Sequence, residues 1–192
     1  LEKAAQKGDP TAPAQLEIIM NQDDINKLIK IANTNKLPHL ENHIGCCFLN
    51  GRGGAEINEK KAVEWLIKSA NNKYVEGEFN LANCYQNGIG IEKNTKKASE
   101  LYICAANQGH AGALYNLGLY EHNTGNFQEA KDLFIKSANL GHALAKLNLA
   151  VYFEKGYEGL TQDYKQAFVW YKQAAKQGNA DAQFMTGQYL LH

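Results

Sequence analysis

Arginine occurs once in the 192 residues, at Arg52. Its planar fork is the usual reader of phosphate, so this scarcity argues against a nucleic-acid partner. Charge of one sign is missing as well: 20 Lys and Arg stand against 20 Asp and Glu, for a formal net charge of 0. No net field therefore draws the chain to nucleic acid or to an acidic membrane. No apolar run reaches about 18 residues, which excludes a membrane-spanning helix from the reading. There is no Gly-x-Ser-x-Gly elbow and no His-Glu-x-x-His run, so the motif-borne hydrolase chemistries have no foothold. The only four cysteines are Cys46, Cys47, Cys84 and Cys104. Cys46 and Cys47 are adjacent, and Cys84 and Cys104 fall at different heights on antiparallel helices, beyond the ~7 Å between Cα atoms that a disulfide spans. All four read as reduced thiols, which favours a cytosolic compartment over a secreted one.

Internal repetition is what the chain has in abundance. Lys61-Ala-Val-Glu-Trp-Leu-Ile-Lys-Ser-Ala70, Lys97-Ala-Ser-Glu-Leu-Tyr-Ile-Cys-Ala-Ala106, Glu129-Ala-Lys-Asp-Leu-Phe-Ile-Lys-Ser-Ala138 and Gln166-Ala-Phe-Val-Trp-Tyr-Lys-Gln-Ala-Ala175 align, with closing alanines 36, 32 and 37 residues apart. A period in this range marks a helical solenoid, whose units bury their apolar faces only by stacking. The expected fold is an all-α solenoid of helix–turn–helix units at 38–74, 75–110, 111–142 and 143–179, with a partial unit at 180–192. In each unit an apolar-periodic first helix stops at a glycine turn, such as Asn87-Gly-Ile-Gly90. A second helix then starts from an N-cap such as Asn58, Asn94 or Asp163. Ala62, Ala98, Ala130 and Ala167 allow close helix approach, and Trp65 and Trp170 fill the space between layers. Residues 1–37 hold two of the three prolines, with Pro38 directly after them, and read as a degenerate repeat. Leu1–Asp9 matches the end of a unit, so the sequence reads as a cut from a longer array.

Asn80-Leu-Ala-Asn-Cys-Tyr85 with Gly88-Ile-Gly-Ile91, Asn116-Leu-Gly118, and Gln166 to Ala180 resemble the Sel-one-like repeat (SLR) family, a relative of the tetratricopeptide repeats. The resemblance covers residues 38–192. It implies a right-handed superhelix serving as an adaptor for protein complexes, with bacterial members acting in signalling or host interaction. One secreted branch, to which penicillin binding is attributed, pairs cysteines at the closing-alanine position. Ala70, Ala106, Ala138 and Ala175 stand there instead, which sets that branch aside. The third unit departs from the pattern, since Thr124-Gly-Asn-Phe-Gln-Glu-Ala130 has the shorter loop of a tetratricopeptide repeat.

Three constellations remain. The Gly-x-Gly loops follow helices rather than a strand, so they read as caps and not as phosphate cradles. His39, His43 and Cys46 share a helix face at zinc-like spacing but lack a fourth ligand, so no metal is expected. Asn80, Asn116 and Asn148 recur once per unit on successive first helices, with His43 in the equivalent place and Asn83 nearby. An amide both donates and accepts, so this row suits the backbone of an extended peptide. The expected function is a non-catalytic scaffold binding a protein or peptide in its concave groove through His43, Asn80, Asn83, Asn116 and Asn148, without cofactor, nucleic acid or membrane insertion. The alternative is a binding arm of a larger enzyme whose catalytic domain lies outside this chain.

Overall fold

The apolar periodicity becomes helix throughout the computed structural model, which describes residues 24–157 and 159–191. These residues form ten helices: α1 (Ile25–Thr34), α2 (Pro38–Asn50), α3 (Glu59–Asn71), α4 (Val75–Asn87), α5 (Thr95–Asn107), α6 (Ala111–Asn123), α7 (Phe127–Asn139), α8 (Ala143–Lys155), α9 (Tyr164–Lys176) and α10 (Ala180–Leu191). Among the described residues there is no strand, and the fold is an all-α solenoid of helix–turn–helix repeats. Pro10, Pro13, the Leu1–Asp9 match and His192 lie outside the described residues.

The ends of the helices follow from single side chains. Asn58, Asn94 and Asp163 each accept a 3.0 Å bond from the backbone N–H three residues on, satisfying a donor the helix leaves open. The first helices α2, α4 and α8 close on Gly51, Gly88 and Gly156. At Gly88 the backbone has φ 73°, a left-handed conformation that a Cβ would strain, and its N–H returns to the Cys84 carbonyl. These glycines therefore end helices rather than open them, the opposite of the geometry that binds phosphate.

The chain divides into two units, one ending at Leu101 and the other starting at Tyr102, so the division falls inside α5. In the first unit α1 packs on α2, α2 on both α3 and α4, and α3 on α4. Leu28, Leu40, Ile44, Phe48 and Trp65 form one core cluster there, and Val63, Leu66, Leu81 and Cys84 a second. In the second unit α6 packs on α7, α7 on α8, α8 on α9 and α9 on α10. The small residues Ala62, Ala98, Ala130 and Ala167 are all fully buried. At Gly118 the approach is closer still: a Cβ there would lie 2.6 Å from the Phe134 ring. The two tryptophans differ. Trp65 is 8% exposed, whereas Trp170 is only half-buried, its ring shared between two core clusters.

Two hairpins are clasped by a buried hydroxyl. Ser69 on α3 donates to the Pro38 carbonyl at the start of α2 (2.6 Å), and Ser137 on α7 donates to the Ala111 carbonyl at the start of α6 (2.8 Å). Each satisfies a polar group that would otherwise be buried alone.

Candidate functional site

The first helix of each unit buries one side against its second helix and leaves another side partly open. On α2 and α4 that open side carries His43, Asn80 and Asn83, and on α6 and α8 it carries Asn116 and Asn148; all five are half-buried. In the first unit Asn80 reaches back to the preceding first helix. Its amide nitrogen donates to Asn42 Oδ1 at 2.9 Å and approaches Cys46 Sγ at 3.6 Å. In the second unit Asn148 likewise reaches back, hydrogen-bonding the Tyr115 hydroxyl on α6. Asn42 and Tyr115 hold the same position in their repeats, one residue before His43 and Asn116. Asn80 and Asn148 thus share an inter-repeat bond to the same register position of the preceding first helix.

Aromatic residues dominate the second unit around Asn148. His122 Nδ1 lies 2.7 Å from the Tyr152 hydroxyl, and Tyr157 packs against both rings at 5.3 and 4.7 Å between centroids. Phe127 stacks on Tyr157 at 5.0 Å, and Phe134 meets Tyr152 edge-on at 5.5 Å. Burial pushes the Tyr152 phenol up to about 12, with the neighbouring Tyr157 adding to it, so Tyr152 keeps its proton at neutral pH. Beside these rings, between α6 and α8, lies a cavity of about 160 Å³ bordered by Leu119, Val151 and Asn148.

At the same end of α8 a carboxylate joins three helices. Glu154 accepts from the Tyr171 hydroxyl of α9 (2.8 Å) and from the Tyr189 hydroxyl of α10 (3.0 Å). Burial first, then the bond to Glu154, raises both phenols, Tyr189 to about 12. His110 and His142 cap α6 and α8, their Nδ1 atoms accepting from Ala113 N (3.0 Å) and Ala145 N (3.3 Å).

The cysteines are all free thiols. Burial raises Cys46, with Cys47 the next cause, and lifts Cys84 to about 11, so neither is an activated nucleophile. His39, on the face read for zinc, sits edge-on to Tyr74 at 6.2 Å. Among the described residues no three His, Cys, Asp or Glu side chains gather as metal ligands.

Reading the sequence alone did not find the histidine caps, the serine clasps or the Glu154 bridge. The caps do leave a mark, since Gly109-His-Ala111 and Gly141-His-Ala143 recur one period apart. The bridge leaves none, because Glu154 and Tyr171 share one repeat, Tyr189 lies in the next, and no recurring spacing connects them.

Comparison with known proteins matches the Sel1 repeat model to residues 39–74, 75–110, 111–142 and 143–179. The chain is 32% identical over 76 residues to Chitin synthase regulatory factor 2 of Schizosaccharomyces pombe, a match covering 40% of this chain and 15% of that protein. Solved structures similar to the chain include two of the same repeat type. One is a protective antigen present in uropathogenic Escherichia coli strains and displaying an SLR fold, with TM-score 0.77 and 29% identity over 87% of this chain and 36% of that one. The other is a Sel1 repeat protein from Oxalobacter formigenes, with TM-score 0.72 and 30% identity over 80% of this chain and 62% of that one.

Proposed function

The chain belongs to the Sel1 repeat family, and from that premise we propose that it binds an extended segment of a partner protein along the open sides of its first helices. Sel1-repeat proteins act in general as non-catalytic protein-interaction scaffolds. The finer assignment puts His43, Asn80 and Asn83 on the binding face of the first unit and Asn116 and Asn148 on that of the second. The observation that carries it is the repeated, half-buried asparagine at one register position, with Asn80 and Asn148 each oriented by a bond to the preceding first helix. A held amide is already oriented, so less side-chain freedom is lost when it meets a peptide backbone. The chain spans 15% of the length of its fission-yeast relative, so the activity of a whole protein containing it stays a proposal. That relative is named a regulatory factor of an enzyme, which favours a second reading as the binding arm of a larger regulator.

The test is a double substitution, Asn116→Ala with Asn148→Ala, assayed against a peptide selected by display on the unmodified chain. Each lost amide contact is expected to weaken binding by about 1 kcal/mol, roughly fivefold, at temperatures well below the melt, alongside the modest fall in melting temperature that loss of the Asn148–Tyr115 bond brings. A lower melting temperature with unchanged affinity at 10 °C would make these residues purely structural, and the assignment would fall.

A further inference from the structure

We propose that the cavity between α6 and α8 is an anchor pocket for one phenylalanine-sized aromatic side chain of the bound segment. This deepens the scaffold reading and rests on it. Size is the first argument. About 160 Å³ is close to the ~150 Å³ apolar cavity that accepts a benzene ring in an engineered protein. Lining is the second. Phe134, 1% exposed, His122, Tyr152 and Tyr157 form walls of four rings, with Leu119 and Val151 completing the apolar lining. The wall rings already meet at steep angles, 81° between His122 and Tyr157 and 78° between Phe134 and Tyr152. A further ring entering such a cluster finds both edges and faces to pack against, the arrangement aromatic groups prefer.

Chemistry excludes the competitors. The lining holds no carboxylate for an ammonium group and no lysine or arginine for a phosphate. A charged group would lose its water there without a counter-charge. The one amide in the lining is Asn148, a donor and acceptor for the polar backbone that an anchored residue carries. Register ties the pocket to the proposed binding face, because Leu119 and Val151 hold the repeat position that Asn83 holds in the first unit. The walls are set in advance: the 2.7 Å contact between His122 and Tyr152 joins α6 to α8, and Phe127 backs Tyr157. Ligand entry then orders few side chains.

The experiment uses the whole chain with labelled Leu and Val methyl groups, titrated with N-acetyl-phenylalanine methylamide. Saturable shifts of the Leu119 and Val151 methyls are expected. The alanine and trimethyl-lysine analogues should leave them in place. Val151→Trp, which extends a ring across the cavity, should abolish the Leu119 shift, and Tyr157→Ala, which removes a wall, should weaken binding at least tenfold. Absence of saturable shifts in the parent, their survival in both variants, or stronger binding of the trimethyl-lysine analogue would overturn the pocket. Peptides selected on the parent separate this from the scaffold reading. Selected peptides that bind Val151→Trp as well as the parent would remove the pocket and leave the scaffold. Failure to select any peptide would count against the scaffold, while the methylamide titration would still decide the pocket.

Discussion

Tryptophan and glycine show how one residue type at one repeat position can have different weight. Trp65 and Trp170 align, and the sequence assigns both to the space between layers. Only Trp65 is closed off, and its face is further covered by the Lys68 ammonium at 3.7 Å. Trp65→Ala is expected to cost about 3–5 kcal/mol, as for other large buried rings. Trp170→Ala should cost clearly less, because its half-buried ring loses fewer contacts; equal losses in urea denaturation would show that exposure is a poor guide here. Ala62, Ala98, Ala130 and Ala167 were legible from sequence because they recur; Gly45, Ala82, Gly118 and Ala150 also share one position, yet only the structure shows that at Gly118 the neighbouring ring leaves no room for a methyl group. The serine clasps were not legible. Ser69 and Ser137 look like any helix-surface serine until the partner carbonyl is placed, and Ala105 and Ala174 replace them in the other units.

Among the helices, α8 concentrates the conditional interactions. Its N-terminus depends on His142 as an acceptor, a role open only to the neutral ring. Burial, and then the charge of His110, lowers the His142 pKa below 6.5. The unfolded chain therefore takes up this proton at a higher pH than the folded one. The stability His142 contributes is complete above about pH 6.5 and declines as pH falls toward the depressed folded value. Melting temperature should fall between pH 7 and 5, and His142→Asn, which caps without titrating, should flatten part of that slope. An unchanged slope would locate the pH dependence elsewhere. The far end of α8 depends on Glu154. Glu154→Ala should free the Tyr189 hydroxyl and speed amide exchange in α10 more than in α9, which also keeps its buried Tyr171 ring and Ala167 and Ala174 in the core. Equal acceleration in both helices would mean that the bridge holds the unit as a whole.

At the scale of the molecule, the 32–37-residue period carried the fold, because within each unit helices pack on neighbours close in sequence and local pattern is enough to specify local contact. The candidate binding face was legible only as a row of asparagines. Their bonds to Asn42 and Tyr115, and the aromatic cavity beside Asn148, depend on which residues two successive first helices bring together, and a one-dimensional period does not contain that pairing. Both clasped hairpins have the same closed end, yet their opposite ends differ: the α2–α3 turn runs from Gly51 to Asn58, and the α6–α7 turn only from Thr124 to Asn126. Since Ser69 and Ser137 fix the helix pair from the other side, the same pairing accommodates both turn lengths. Such a unit behaves like a bound book, in which pages can be added at the fore-edge without disturbing the spine. The α2–α3 turn is already bound in, since Ala55 is buried in the core and the Gly53 carbonyl accepts from Ile25 N at the start of α1; the exposed Gly125 of the α6–α7 turn, where an added Cβ would meet nothing within 4 Å, is the natural place for evolution, or an engineer, to splice in new sequence.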